Sequence, residues 1–198
     1  MSGHLDAIGR EVQEVLGRID EAETAALVEA IDRADRVFLA GAGRSGLMMR
    51  AFAMRLMHLG LQAYVVGETV TPAVGPGDLL VIGSGSGETS SLRAAAEKAG
   101  KLGTELALVT IVPASTIGKL ADVVLQVPAP SPKAKPAGAG SEGSGSESLR
   151  GGAVASVQPM GSLFEQALLL LLDGVLLALM ERRGADSAGM FTRHANLE

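Results

Sequence analysis

The chain has 198 residues, 47% of them hydrophobic but only 3% aromatic, with a formal net charge of −5. That length supports a sizeable core of Ala, Val, Leu, Ile and Met, and the acidic balance gives no overall attraction for nucleic acid. With no cysteine, disulfides, thiol chemistry and thiolate metal ligation are excluded, a composition that fits a cytoplasmic protein.

Leu5, Ile8, Val12, Val15, Leu16 and Ile19 recur at spacings of three and four, which predicts an amphipathic helix over 5–19. A second helix is expected over 24–33, and the first residues lack the apolar core of a signal peptide. From residue 36 onward strands and helices alternate. Strands are predicted at 36–41, 62–67, 78–83, 104–110 and 122–127, and helices at 45–59, 89–102, 115–120 and 162–182. Gly60, Gly103 and Gly184 sit where helix ends favour a left-handed residue. Between Pro128 and Gly152, 15 of 25 residues are Pro, Gly or Ser, so this stretch is expected to be a mobile loop rather than a second domain. The apolar run Leu163–Met180 contains Glu165, Gln166, Asp173 and Gly174. It reads as a buried or subunit-interface helix rather than a membrane span.

Alternating strands and helices with near-continuous apolar strands predict an α/β fold, a doubly wound five-stranded parallel sheet of order 2-1-3-4-5 flanked by helices. The expected organisation is one domain over 1–198. It comprises N-terminal helices to residue 34, a sheet core over 35–127, a flexible loop over 128–157, and a C-terminal helix and tail over 158–198. In such a sheet a ligand binds beyond the carboxyl ends of the strands where the strand order reverses, here between the first and third strands.

Those two strands end in glycine- and serine-rich turns, Gly41-Ala42-Gly43-Arg44-Ser45-Gly46 and Ser84-Gly85-Ser86-Gly87-Glu88-Thr89, each opening into a helix. Backbone N–H groups at a helix N-terminus, the helix dipole and neighbouring hydroxyls together make a cradle for an anion. The first turn also matches G-x-G-x-x-G, with Glu68 near the position of an acidic ribose ligand, so a dinucleotide site is an alternative. The hydroxyls of Ser84, Ser86 and Thr89 suit a terminal phosphate monoester better, and a nicotinamide site would not need them. Glycines that merely tighten two strand-to-helix turns would leave those hydroxyls unexplained.

Ser162-Leu163-Phe164-Glu165 reads as S-x-x-E, a capping box. The same glutamate is also a candidate base, because a helix N-terminus orients a carboxylate for proton abstraction beside a carbonyl. His58 lies thirteen residues after Ser45, about 20 Å along a helix, too far to meet a small ligand at the helix start. It is either an ordinary surface or core histidine or part of a neighbouring subunit's site. His194 lies in a polar tail that could fold over a crevice, and His4 carries no signal. The three histidines lack metal-ligand spacing, so no metal is expected. Arg44, the only cation within either turn, could neutralise phosphate or a developing enediolate, or pair with a neighbouring acid. Arg50 and Arg55 are expected to decorate the helix face.

Several segments carry a resemblance. They are the first turn with Ala53-Met54-Arg55-Leu56-Met57-His58-Leu59-Gly60, Val66-Gly67-Glu68-Thr69 with Thr71-Pro72, and the serine turn. Met160-Gly161-Ser162-Leu163-Phe164-Glu165 and the ending Arg193-His194-Ala195-Asn196-Leu197 complete it. Together these resemble the sugar isomerase (SIS) domain and, within it, the 6-phospho-3-hexuloisomerase family, over about 35–127 and 158–198. Val70 stands where that family commonly has threonine.

The resemblance implies a cofactor-independent isomerase of the ribulose monophosphate route, interconverting D-arabino-3-hexulose 6-phosphate and fructose 6-phosphate. It implies that Gly43, Arg44, Ser45, Ser84, Ser86 and Thr89 bind the substrate, with Glu165 as base and His58 and His194 handling protons on oxygen. It further implies a homo-oligomer, a tetramer with sites at subunit contacts, with no nucleic-acid or membrane partner. The rival readings are an isomerase for another phosphosugar such as arabinose 5-phosphate, and a non-catalytic phosphosugar sensor. Such sensors usually join a DNA-binding helical domain, for which residues 1–35 are short and acidic.

Overall fold

Five strands lie side by side, all parallel: β1 (Val37–Gly41), β2 (Ala63–Val65), β3 (Leu79–Gly83), β4 (Glu105–Thr110) and β5 (Val123–Gln126), in the order β2-β1-β3-β4-β5. The computed structural model describes residues 1–130 and 156–196. Most of the loop expected over 128–157 therefore lies outside the described residues, as does Leu197. The sheet order is as the sequence predicts.

The apolar strands bury both faces, and the period of two decides which residue serves which face. Val37, Leu39, Leu79, Val81, Ala107 and Val109 join one core. Phe38, Ala40, Leu80, Ile82, Leu106 and Leu108 join the other. The first face is covered by α2 (Glu21–Arg33), α3 (Gly43–Leu59) and α5 (Ser162–Arg183), with α1 (Ser2–Leu16) packed on α5. The second is covered by α4 (Ser90–Lys101), through Leu92, Ala96 and Ala99. By length and composition α5 is apolar enough to cross a membrane. Leu168, Leu172, Val175 and Leu179 are fully buried within the core, as expected of a core helix.

Three expectations change. No helix forms over 115–120; residues 111–120 are turns. The loop is pinned to the serine turn, where Thr116 N donates to Glu88 Oε1 at 2.6 Å and Ile117 N to Gly87 O at 3.2 Å, while Lys119 N donates to Ser115 O at 3.0 Å in one turn that is not continued. The strand expected over 62–67 is only three residues long, because after Val65 the chain turns, with Glu68 N donating back to Val65 O. A short helix not foreseen in the tail, α6 (Ser187–Phe191), is capped by Asp186, whose carboxylate accepts from Gly189 N at 2.7 Å.

At the amino end of the sheet, Arg36 and Asp78 precede β1 and β3, so parallel pairing sets them side by side. Arg36 Nε donates to Asp78 Oδ1 at 2.8 Å and a terminal guanidinium nitrogen donates to Oδ2 at 2.6 Å. Gly75 N adds a third bond at 2.8 Å. Burial alone would raise the Asp78 carboxyl, but the Arg36 bonds and the Gly75 N–H outweigh it and hold it below its ordinary value. This end is locked by charge, and the opposite end is left open for a ligand.

Candidate active site

At the carboxyl ends of β1 and β3 a cavity of about 570 Å³ opens between the two glycine-rich turns and the start of α5. The first turn passes directly into α3. Close packing there demands glycine on both sides: a Cβ on Gly41 would lie 2.8 Å from Gly46 Cα, and one on Gly46 would lie 2.7 Å from Gly41 O. Helix α3 therefore starts tight against the strand end, and Ala42 at its N-cap makes no side-chain cap. Gly43, Arg44 and Ser45, the first residues of α3, line the cavity, and the first N–H groups of a helix have no partner within it. Helix α4 starts in the same way from Thr89, again without a side-chain cap.

The serine turn is folded onto its own hydroxyls. Gly87 N donates to both Ser84 O and Ser84 Oγ, each at 3.2 Å, and Glu88 N donates to Ser86 Oγ at 3.2 Å. Ser84 Oγ lies 3.5 Å from Thr89 Oγ1, and Ser84 is buried. Gly87 has φ +62°, and a Cβ there would lie 1.9 Å from Ser115 Oγ, so the 111–120 loop packs closely against the turn. Gly43, Arg44, Ser45, Ser84, Ser86 and Thr89, predicted separately from two turns, all line this one cavity.

Glu165 enters the same cavity from the first turn of α5. Its Oε2 lies 3.0 Å from an Arg44 guanidinium nitrogen, and the same nitrogen donates to Ser162 Oγ at 2.9 Å. The carboxylate side chain is 16% exposed and the arginine 53%. The capping box does not form: Gly161 is the N-cap, the Ser162 hydroxyl accepts from Arg44, and Glu165 N donates to Gly161 O at 3.0 Å. A charged donor outcompetes a neutral backbone N–H for these oxygens. Sequence spacing did not show the Arg44–Ser162–Glu165 bridge, whose members are 118 residues apart at the hydrogen bond. Glu68 forms an ion pair with Arg50, which occupies the carboxylate a dinucleotide ribose would need.

His58 and His194 do not line this cavity. They meet each other at the far end of α3, ring centroids 5.4 Å apart, and His194 also stacks on Phe191 at 5.7 Å. Arg193 holds the tail there by donating to His58 O at 3.3 Å, which satisfies a carbonyl at the end of α3. Burial first, then the nearby Arg55 and His194, push the buried His58 below the usual imidazole value. Arg55 therefore does more than decorate the helix: its guanidinium lies 3.4 Å from His58 Nδ1. His4 is exposed on α1. Among the described residues no cluster of three or more His, Asp or Glu side chains could hold a metal ion.

Residues 30–141 match the SIS domain family. The chain is 49% identical over 180 residues to a 3-hexulose-6-phosphate isomerase of Bacillus subtilis, covering 91% of this chain and 89% of that one. It is 39% identical over 198 residues to the Mycobacterium gastri 3-hexulose-6-phosphate isomerase, covering 100% and 92% of the two chains. Among solved structures, a hypothetical protein from Methanococcus jannaschii is similar at TM-score 0.80 and 30% identity over 99% of both chains. The crystal structure of that protein is described as inferring a 3-hexulose-6-phosphate isomerase function.

Proposed function

The chain belongs to the SIS domain family, and from that premise we propose that it interconverts D-arabino-3-hexulose 6-phosphate and fructose 6-phosphate. It is an isomerase acting on a phosphosugar, in keeping with relatives of nearly full coverage. The observation that carries the reading is one carboxylate, Glu165, lining a cavity that two glycine- and serine-rich turns also line.

In this reading the phosphate sits on the N–H groups at the starts of α3 and α4 and on the hydroxyls of Ser45, Ser84, Ser86 and Thr89. Glu165 takes the C2 proton of the 3-ketose, the C–H electron pair moves into a C2–C3 double bond, and O3 gains the negative charge. In the resulting 2,3-enediolate the O2 proton passes to O3, the electron pair left on O2 forms the C2 carbonyl, and the C2–C3 pair takes the proton back from Glu165 at C3. Arg44, already beside Glu165, stabilises the oxyanion, and phosphate binding aligns the reacting carbons. No cofactor is required for this proton traffic.

The finer parts of the reading concern assembly and pathway. Leu170 and Leu177 on α5 and Met54 and Met57 on α3 are exposed, and they suit contacts between copies in a homo-tetramer. In that assembly the His58–His194 pair serves a neighbouring cavity and handles protons on oxygen. The reaction is the second step of the ribulose monophosphate route, which fixes or releases formaldehyde.

Incubation with fructose 6-phosphate in deuterated water tests the chemistry. Loss of the C3 proton signal is expected, and a retained signal during full incubation with folded protein sinks the enediolate. Ser84→Ala is expected to raise KM about tenfold with kcat within about twofold, since a hydrogen bond to a charged group contributes about 1.5–3 kcal/mol. An unchanged KM would remove Ser84 from the phosphate site.

A further inference from the structure

Residues 156–161 form a strap whose last three residues, Pro159, Met160 and Gly161, line the cavity and lead directly into α5 and Glu165. Met160 lies on it with φ +58°, the only positive φ outside glycine among the described residues, and its side chain is 73% exposed. Ser162 N donates to Pro159 O at 3.2 Å, closing a tight turn in which Met160 occupies a position that ordinarily favours glycine. A non-glycine residue persists in such a conformation only when its surroundings hold it there. Downstream, α5 supplies that hold through its packed first turn, where Leu163 and Phe164 are buried.

Upstream the hold comes from one side chain. Glu11 on α1 accepts from Val157 N at 2.7 Å through one oxygen. Through the other it accepts from Ser156 Oγ at 2.8 Å and from Gln158 Nε2 at 3.0 Å. Three donors from three consecutive residues thus converge on one carboxylate, about 145 residues away in sequence. Ser156 Oγ also accepts from Gln158 N at 3.0 Å, tightening the strap on itself. Burial would raise the Glu11 carboxyl, but the bonds from Val157, Gln158 and Ser156 prevail and hold it below its ordinary value. Glu11 itself does not line the cavity.

We propose that Glu11 is a positioning residue for the isomerisation, tethering the strap so that Met160 stays at the mouth of the cavity and Glu165 stays aligned with the reacting carbons. The inference rests on the reading of Glu165 as the base. The phosphate cradle belongs to α3, α4 and the serine turn, none of which contributes a hydrogen bond to Glu11, so alignment and phosphate binding respond separately.

Glu11→Gln keeps the side-chain volume but replaces one acceptor oxygen with a donor that faces other donors. The test measures kcat and KM for fructose 6-phosphate, thermal midpoint, and amide hydrogen exchange, with Glu14→Gln on the exposed side of α1 as control. Glu11→Gln is expected to lower kcat about tenfold or more with KM within about twofold, because small misalignment is costly to turnover. Exchange over 157–161 should quicken about tenfold while the buried core of α5 keeps its protection. Adding Ser156→Ala should cost little more, since the two act through one tether. Wild-type kcat in Glu11→Gln, unchanged strap exchange, or a proportional loss shared with Glu14→Gln would each overturn the proposal. A wild-type chain inert towards fructose 6-phosphate would overturn the isomerase reading instead, leaving strap exchange to decide the tether.

Discussion

Glu165→Gln is expected to lower kcat about 10³-fold, within the range for removal of a general base, while phosphosugar binding changes by less than about threefold. The amide is nearly isosteric, and its oxygen can still accept from Arg44, which also keeps its bond to Ser162. The first turn of α5 is therefore expected to stay in place, and the proposed phosphate contacts lie on other elements. What the substitution removes is the ability to take a proton from carbon. Turnover measured with titration calorimetry for fructose 6-phosphate separates the two effects. Retention of more than about a tenth of kcat would exclude Glu165 as the base, because a lone amide offers no comparable basicity.

Asp78→Ala is expected to have the largest effect on stability, about 3 kcal/mol, the cost of leaving a partner of a buried ion pair uncompensated. Asp78 is 2% exposed and Arg36 30%, so part of the loss is recovered as the guanidinium rehydrates. For a chain of this size the thermal midpoint should fall by about 6–12 °C. The pair lies before β1 and β3, at the amino end of the sheet, so kcat of the folded fraction should be unchanged. The pH dependence carries a sign. With its folded value lowered, Asp78 contributes its stability in full above the ordinary carboxylate range of about 4 and loses it as pH falls through the lowered value. Asp78→Ala should therefore flatten the acid limb of the stability profile. An equal acid limb in both proteins would show that Asp78 does not carry it. His58, also lowered on folding, acts in the same direction at higher pH, losing its contribution as pH falls below about 6.5.

Much of the site was legible because its signals are local. The glycine and hydroxyl residues of the two turns sit next to the strands that position them, and parallel order alone brings β1 and β3 together. Glu165 was legible as a carboxylate at a helix start, but its partner was not. S-x-x-E spacing favours a cap, and only the approach of Arg44 from α3 diverts both oxygens. The helix expected over 115–120 failed for a similar reason, since contacts with Glu88 and Gly87, which no spacing along the chain announces, hold this stretch as a loop. The tail offers another case: His194 reads only as part of a polar tail that could fold over a crevice, and the end of α3 supplies the carbonyl and the ring on which Arg193 and His194 dock.

By itself, then, the sequence determined the α/β class, the strand order and the two glycine-rich turns at the ends of β1 and β3, because hydrophobic period, glycine placement and the chirality of parallel crossovers act over short stretches. Tertiary structure alone decided which charges meet. Arg44 with Glu165, Arg36 with Asp78 and Glu11 with the strap join residues 121, 42 and about 145 positions apart. Coulombic and hydrogen-bond partners are chosen by distance in space, and no spacing along the chain encodes that distance until the core has packed.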